Sequence, residues 1–144
     1  MIETRWAHAS LAVTDIDVSG DFYRRAFGFE TVFEERGMAR EIAETVGIAG
    51  VTCDLVQLRH PASGVVFELI AFRGAGGEKV PPGPPRGHIA LVVADLAAAE
   101  AELLRLGAER VGEIVAFDEG PAAYYREPGG SVVELEQLHA PEGA

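Results

Sequence analysis

Apolar and polar positions along the chain fall into one pattern that occurs twice. Residues 6–14 alternate in polarity with small apolar side chains, which predicts a strand. Asp15 stands where a helix N-cap belongs, and Phe22, Ala26 and Phe29 supply an apolar stripe up to the stop signal at Gly28. Phe29 to Glu35 reads as a second strand, and 37–47 as a polar helix closed by Gly47. Val51–Leu58 and Val65–Phe72 read as a hairpin around Pro61-Ala62-Ser63-Gly64. Residues 74–85 are too rich in Gly and Pro for regular structure and read as a linker. The order then returns: a strand over His88–Val93, Asp95 capping a helix over Leu96–Leu106, and Gly107. Strands follow over Ala108–Val115 and Ala122–Arg126, then a turn at Pro128-Gly129-Gly130 and a last strand over Val132–Leu138. The expectation is an α+β protein of two tandem βαβββ modules, residues 1–73 and 86–144. Together they make one domain around a cupped eight-stranded mixed sheet.

Composition narrows the function classes. Hydrophobic residues make up 48% of the 144, enough for a core. Cys53 is the single cysteine, which excludes an internal disulfide framework and a cysteine-based zinc site. A formal net charge of −11 argues against nucleic acid and against an anionic membrane surface. No apolar run reaches the roughly 18 residues of a membrane span, and no secretory signal is apparent. A cytoplasmic protein is expected.

The repeat also carries chemistry. His8 opens His8-Ala9-Ser10-Leu11-Ala12-Val13-Thr14-Asp15, and His88 opens His88-Ile89-Ala90-Leu91-Val92-Val93-Ala94-Asp95. Glu68 and Glu134 each precede a Leu inside a short apolar run of the last strand of their module. Taken singly, such a His is most often a hydrogen-bonded strand-start residue, and such a Glu a solvent-facing one. Four matching positions make coincidence a poor explanation. Period 2 puts His8, Ser10 and Ala12 on one face, Glu68 with Val66 and Ile70, and Glu134 with Val132 and Glu136. Two imidazoles and two carboxylates suit one divalent ion, with Zn, Ni, Co, Mn, Fe and Mg all admitted. Such a site is neutral overall, which limits its desolvation cost. Asp15 and Asp95 read as caps, and His60 and His139 as surface residues.

These residues, with Arg86-Gly87-His88-Ile89-Ala90 and Glu127-Pro128-Gly129-Gly130-Ser131-Val132-Val133-Glu134-Leu135, make the chain resemble the vicinal oxygen chelate superfamily. The resemblance runs from about Trp6 to Leu138. It implies His8, Glu68, His88 and Glu134 as metal ligands, a small-molecule substrate and a homodimer, with modules paired within a chain or swapped between chains. Four ligands look more like glyoxalase I and the epimerases than the three-ligand extradiol dioxygenases. Asp54-Leu55-Val56-Gln57-Leu58-Arg59-His60-Pro61 resembles the epimerase-like branch.

The expected activity is therefore a metal-dependent epimerase or isomerase acting beside the carbonyl of a keto-cyclitol, keto-sugar or acyl-CoA ester. Glu134 or Glu68 is the expected proton carrier, and Glu44 a candidate acid outside the metal shell. Arg59 and Arg126, with Arg73 and Arg86, are candidate anion contacts, and Tyr124 a candidate hydrogen-bond donor. A glyoxalase I-like lyase and an extradiol dioxygenase are the alternative reactions. A non-catalytic drug-binding protein is the alternative of another class.

Overall fold

The computed structural model describes residues 1, 3, 5, 7–74 and 87–139. The first module runs β1 (Ala9–Ala12), α1 (Ile16–Phe27), β2 (Glu30–Met38), α2 (Arg40–Val46), β3 (Thr52–Arg59) and β4 (Val66–Arg73). The second runs β5 (Ile89–Val92), α3 (Leu96–Arg105), β6 (Glu109–Arg110), β7 (Val115–Phe117), β8 (Gly120–Arg126) and β9 (Val132–Glu136). Asp15 caps α1 by accepting from the amides of Asp17 and Val18, and Asp95 caps α3 through the Ala98 amide. The C-cap of α1 is Gly28, left-handed at φ 71°.

The first sheet has the order β1-β4-β3-β2, with β1 parallel to β4 and the other pairings antiparallel. The second has the order β5-β9-β8-β6, with β5 parallel to β9, and β7 pairs with β8 off that path. β1 and β5 are therefore sheet edges. The α+β class and the tandem βαβββ order stand. The strands divide between two sheets, and a ninth appears because the expected strand over Ala108–Val115 breaks after Arg110 and resumes at Val115. β2 runs past its expected end because the Gly37 amide donates to Asp54 Oδ1 at 2.8 Å and Met38 still pairs with Cys53. The helix after it shrinks accordingly to Arg40–Val46. Most of the expected linker lies outside the described residues.

One core spans both modules: Phe22, Tyr23, Leu58 and Leu69 of the first pack with Leu103, Tyr125, Val133 and Leu135 of the second. A buried polar knot fixes the joint. Glu127, 1% exposed, accepts from Ser19 Oγ at 2.6 Å, the Ser131 amide at 2.8 Å, Ser131 Oγ at 2.7 Å and the Gly129 amide at 2.5 Å. The Thr14 amide donates to the Gly129 carbonyl at 2.9 Å. No helix among the described residues is long and apolar enough to cross a membrane.

Candidate metal centre

Register sets the position of each candidate ligand. In β4, Glu68 lies between Ser10 of β1 and Gln57 of β3. All three side chains rise on one face, because directly paired positions share a face. Ser10 Oγ donates to Glu68 Oε1 at 3.1 Å, and Gln57 Nε2 to Glu68 Oε2 at 3.2 Å. His8 Nε2 lies 3.6 Å from Glu68 Oε2. The second module repeats the arrangement. Glu134 of β9 lies between Ala90 of β5 and Tyr124 of β8, and His88 Nε2 lies 2.9 Å from Glu134 Oε2. The Tyr124 ring packs 4.9 Å from the His88 ring.

The two carboxylates differ in support. Glu68 is 8% exposed and tied by two hydrogen bonds besides His8. Alanine at position 90 offers Glu134 no donor, so among the described residues His88 is its one polar side-chain partner.

The four candidates form two pairs and not one cluster. No three His, Cys, Asp or Glu side chains among the described residues group closely enough to hold a metal ion. Of the two arrangements the resemblance leaves open, a cluster of all four within one chain is not seen among the described residues. Each sheet keeps its own His and Glu, while α1 of the first module docks on the 127–131 turn of the second. Each pair still offers one imidazole nitrogen and one carboxylate, which is half of a four-ligand divalent site.

Surroundings differ as well. On the Glu68 face, Cys53, Leu55 and Ile70 form a small apolar cluster covered by Met38, Ile42 and Phe72, so α2 closes that end. Burial first, then the nearby Glu68 carboxylate, push the Cys53 thiol up, which suits packing and not thiolate chemistry. The Glu134 face is open. A cavity of about 260 Å³ is lined by Phe117, Glu119, Ala122, Glu134, Glu136 and Leu138. A second of about 110 Å³ adds Glu113, Val115 and Tyr124. A larger groove of about 570 Å³ runs along β5 against Phe27, Phe29 and His60, and none of the four candidates lines it.

Other expected residues are placed unevenly. Tyr124 reaches the His88–Glu134 pair, while its neighbour Tyr125 is fully buried. Glu44 is drawn to neither pair: it sits on the exposed α2 with Arg40 Nη1 at 3.5 Å, one helical turn away. Arg59 is held by Glu30 at 2.9 Å, and Arg126 donates to the Gly130 carbonyl at 2.9 Å. Arg73 reaches the Thr14 and Phe72 carbonyls, each at 3.5 Å. Arg86 lies outside the described residues. Ser10 and Gln57 were missed as supports of Glu68. The period-2 face shared by His8 and Ser10 was the available signal for the first; Gln57 needed the β3–β4 register.

The sequence matches the model of the Glyoxalase/Bleomycin resistance protein/Dioxygenase superfamily over residues 5–135. The chain belongs to that superfamily. A glyoxalase family protein from Bacillus cereus is similar in structure at TM-score 0.76 and 18% identity, covering 97% of each chain. The trypanothione-dependent glyoxalase I of Leishmania major has TM-score 0.63 and 22% identity, covering 94% of this chain and 87% of that one. A fosfomycin resistance protein of Listeria monocytogenes, solved with Mn(II) and a dihydroxypropylphosphonic acid, has TM-score 0.64 and 14% identity, covering 96% and 93%. At these identities the likeness is one of fold. None of the curated proteins compared matches at a significant level.

Proposed function

We propose that the protein is a cytoplasmic, divalent-metal-dependent epimerase or isomerase that moves a proton at the carbon next to a metal-bound carbonyl of a small oxygenated metabolite. The observation that carries this reading is the pair of His–carboxylate contacts at equivalent register positions, His8 with Glu68 and His88 with Glu134. Because each chain keeps its pairs apart, the reading includes a homodimer in which His8 and Glu68 of one copy meet His88 and Glu134 of a second. Among the described residues β1 and β5, next to those residues, are sheet edges, which supports that pairing.

Bound there, a divalent ion would polarise the substrate carbonyl and make the neighbouring carbon acidic. The chain's own groups divide the remaining work. His8 and His88 each present Nε2. Glu68, tied by Ser10 and Gln57, acts as a fixed ligand. Glu134, held by His88 alone among side chains, can swing toward the carbon, take its proton and return it. The test is proton exchange at that carbon in deuterated water with metal-loaded protein. Glu134→Gln should lower exchange by about 100-fold or more while metal stays bound, the usual scale of a lost general base. Full turnover in both Glu134→Gln and Glu68→Gln would end the proposal.

A further inference from the structure

We infer that the site takes a substrate with an uncharged, apolar body and turns away molecules whose body bears phosphate, phosphonate or carboxylate groups. This rests on the reading above for where the reacting carbon lies, and adds the chemistry of the rest of the molecule.

The cavities beside Glu134 are built for it. β7 lies antiparallel to β8 with Phe117 opposite Gly120 and Val115 opposite Ala122, so large side chains stand over small ones and leave a hollow. Around that hollow Phe117 is 56% exposed, Leu138 50%, Val115 47% and Tyr124 37%. Single exposed apolar residues are ordinary; four gathered around one candidate ligand form an uncovered apolar shelf. Among the described residues, the charged groups lining the two cavities are Glu113, Glu119, Glu134 and Glu136, with no Arg or Lys.

No arginine or lysine among the described residues stands beside the shelf. Arg59 and Arg126 are the arginines whose register puts them on the carboxylate-bearing faces: Arg59 is paired with Glu30, and Arg126, donating to the Gly130 carbonyl, stands at the opposite end of β8 from the shelf. An anionic group on the body of the substrate, away from the metal, loses its hydration beside like charges and meets no cation among the described residues that line the cavities. The acyl-CoA ester among the expected substrates is therefore disfavoured, and a neutral ring or chain carrying the reacting carbonyl fits.

The experiment is a calorimetric titration of metal-loaded protein with α-hydroxyacetophenone and with its para-carboxylate, a pair differing by one charge. The neutral probe should bind tighter by about tenfold or more. Phe117→Ala should weaken the neutral probe by about tenfold, through lost apolar contact at an exposed position that does not carry the fold. Glu119→Gln with Glu136→Gln should narrow the difference between the probes. Equal or tighter binding of the carboxylate, or no binding of either probe, overturns the inference. Binding is read without turnover, so tight neutral binding with no proton exchange would remove the epimerase reading and leave this one standing.

Discussion

Glu68 and Glu134 occupy equivalent places, yet neighbours on the flanking strands give them different support. Ser10 and Gln57 hold the first; Ala90 and Tyr124 leave the second to His88. Burial acts at the same scale on two tyrosines away from the site. Tyr23 is raised above the ordinary phenol value by burial, then by the Glu127 charge, against the Ser131 hydrogen bond that lowers it. Tyr125 is raised by burial and by donating to Glu100 at 2.6 Å. A raised folded-state value means the native protein keeps these protons when the unfolded chain has lost them. The stability they contribute is complete below about pH 10 and falls as pH rises beyond it. Urea midpoints should be flat from about pH 7 to 9 and drop by about pH 11, with a smaller drop in Tyr23→Phe/Tyr125→Phe. A midpoint unchanged at that pH would contradict the assignment.

The joint between modules belongs to the scale of elements. Gly129 lies against α1 so closely that an added Cβ would overlap Ser19 Oγ and come within 2.7 Å of the Asp15 carbonyl. Gly129→Ala must therefore push α1 off the turn that carries Glu127, and a loss of about 3 kcal/mol is expected by chemical denaturation. A change within ~0.5 kcal/mol would show that the joint yields freely. Local signals at this scale were readable in advance. Asp15, Asp95 and Gly28 announced helix ends by mechanisms that act within one turn, and Pro61–Gly64 announced its hairpin. The extension of β2 and the break in the sixth strand were not readable, because both depend on partners distant in sequence: Asp54 for Gly37, and β8 for β6 and β7.

Across the whole molecule, the repeat disclosed the fold and the four candidate ligands, since a duplicated module duplicates its chemistry. It did not disclose that each module keeps its pair to itself while α1 docks on the opposite module. Nor did it disclose the apolar shelf, which needs Phe117, Val115, Tyr124 and Leu138 brought together by β7, β8 and the end of β9. Nor did it disclose the partner of Arg59, which pairs with Glu30 through the β2–β3 register.

The central claim is one metal site shared between two copies, and complementation tests it directly. His8→Ala and His88→Ala chains would be prepared separately and co-expressed, and bound divalent metal counted per chain. Each variant alone should lose the ion that the wild type holds at about one per chain. In mixed dimers one of the two sites regains both histidines, so co-expression should restore about a quarter of the wild-type metal. Metal retained by either variant alone, or no recovery on co-expression, would contradict a site built from two copies.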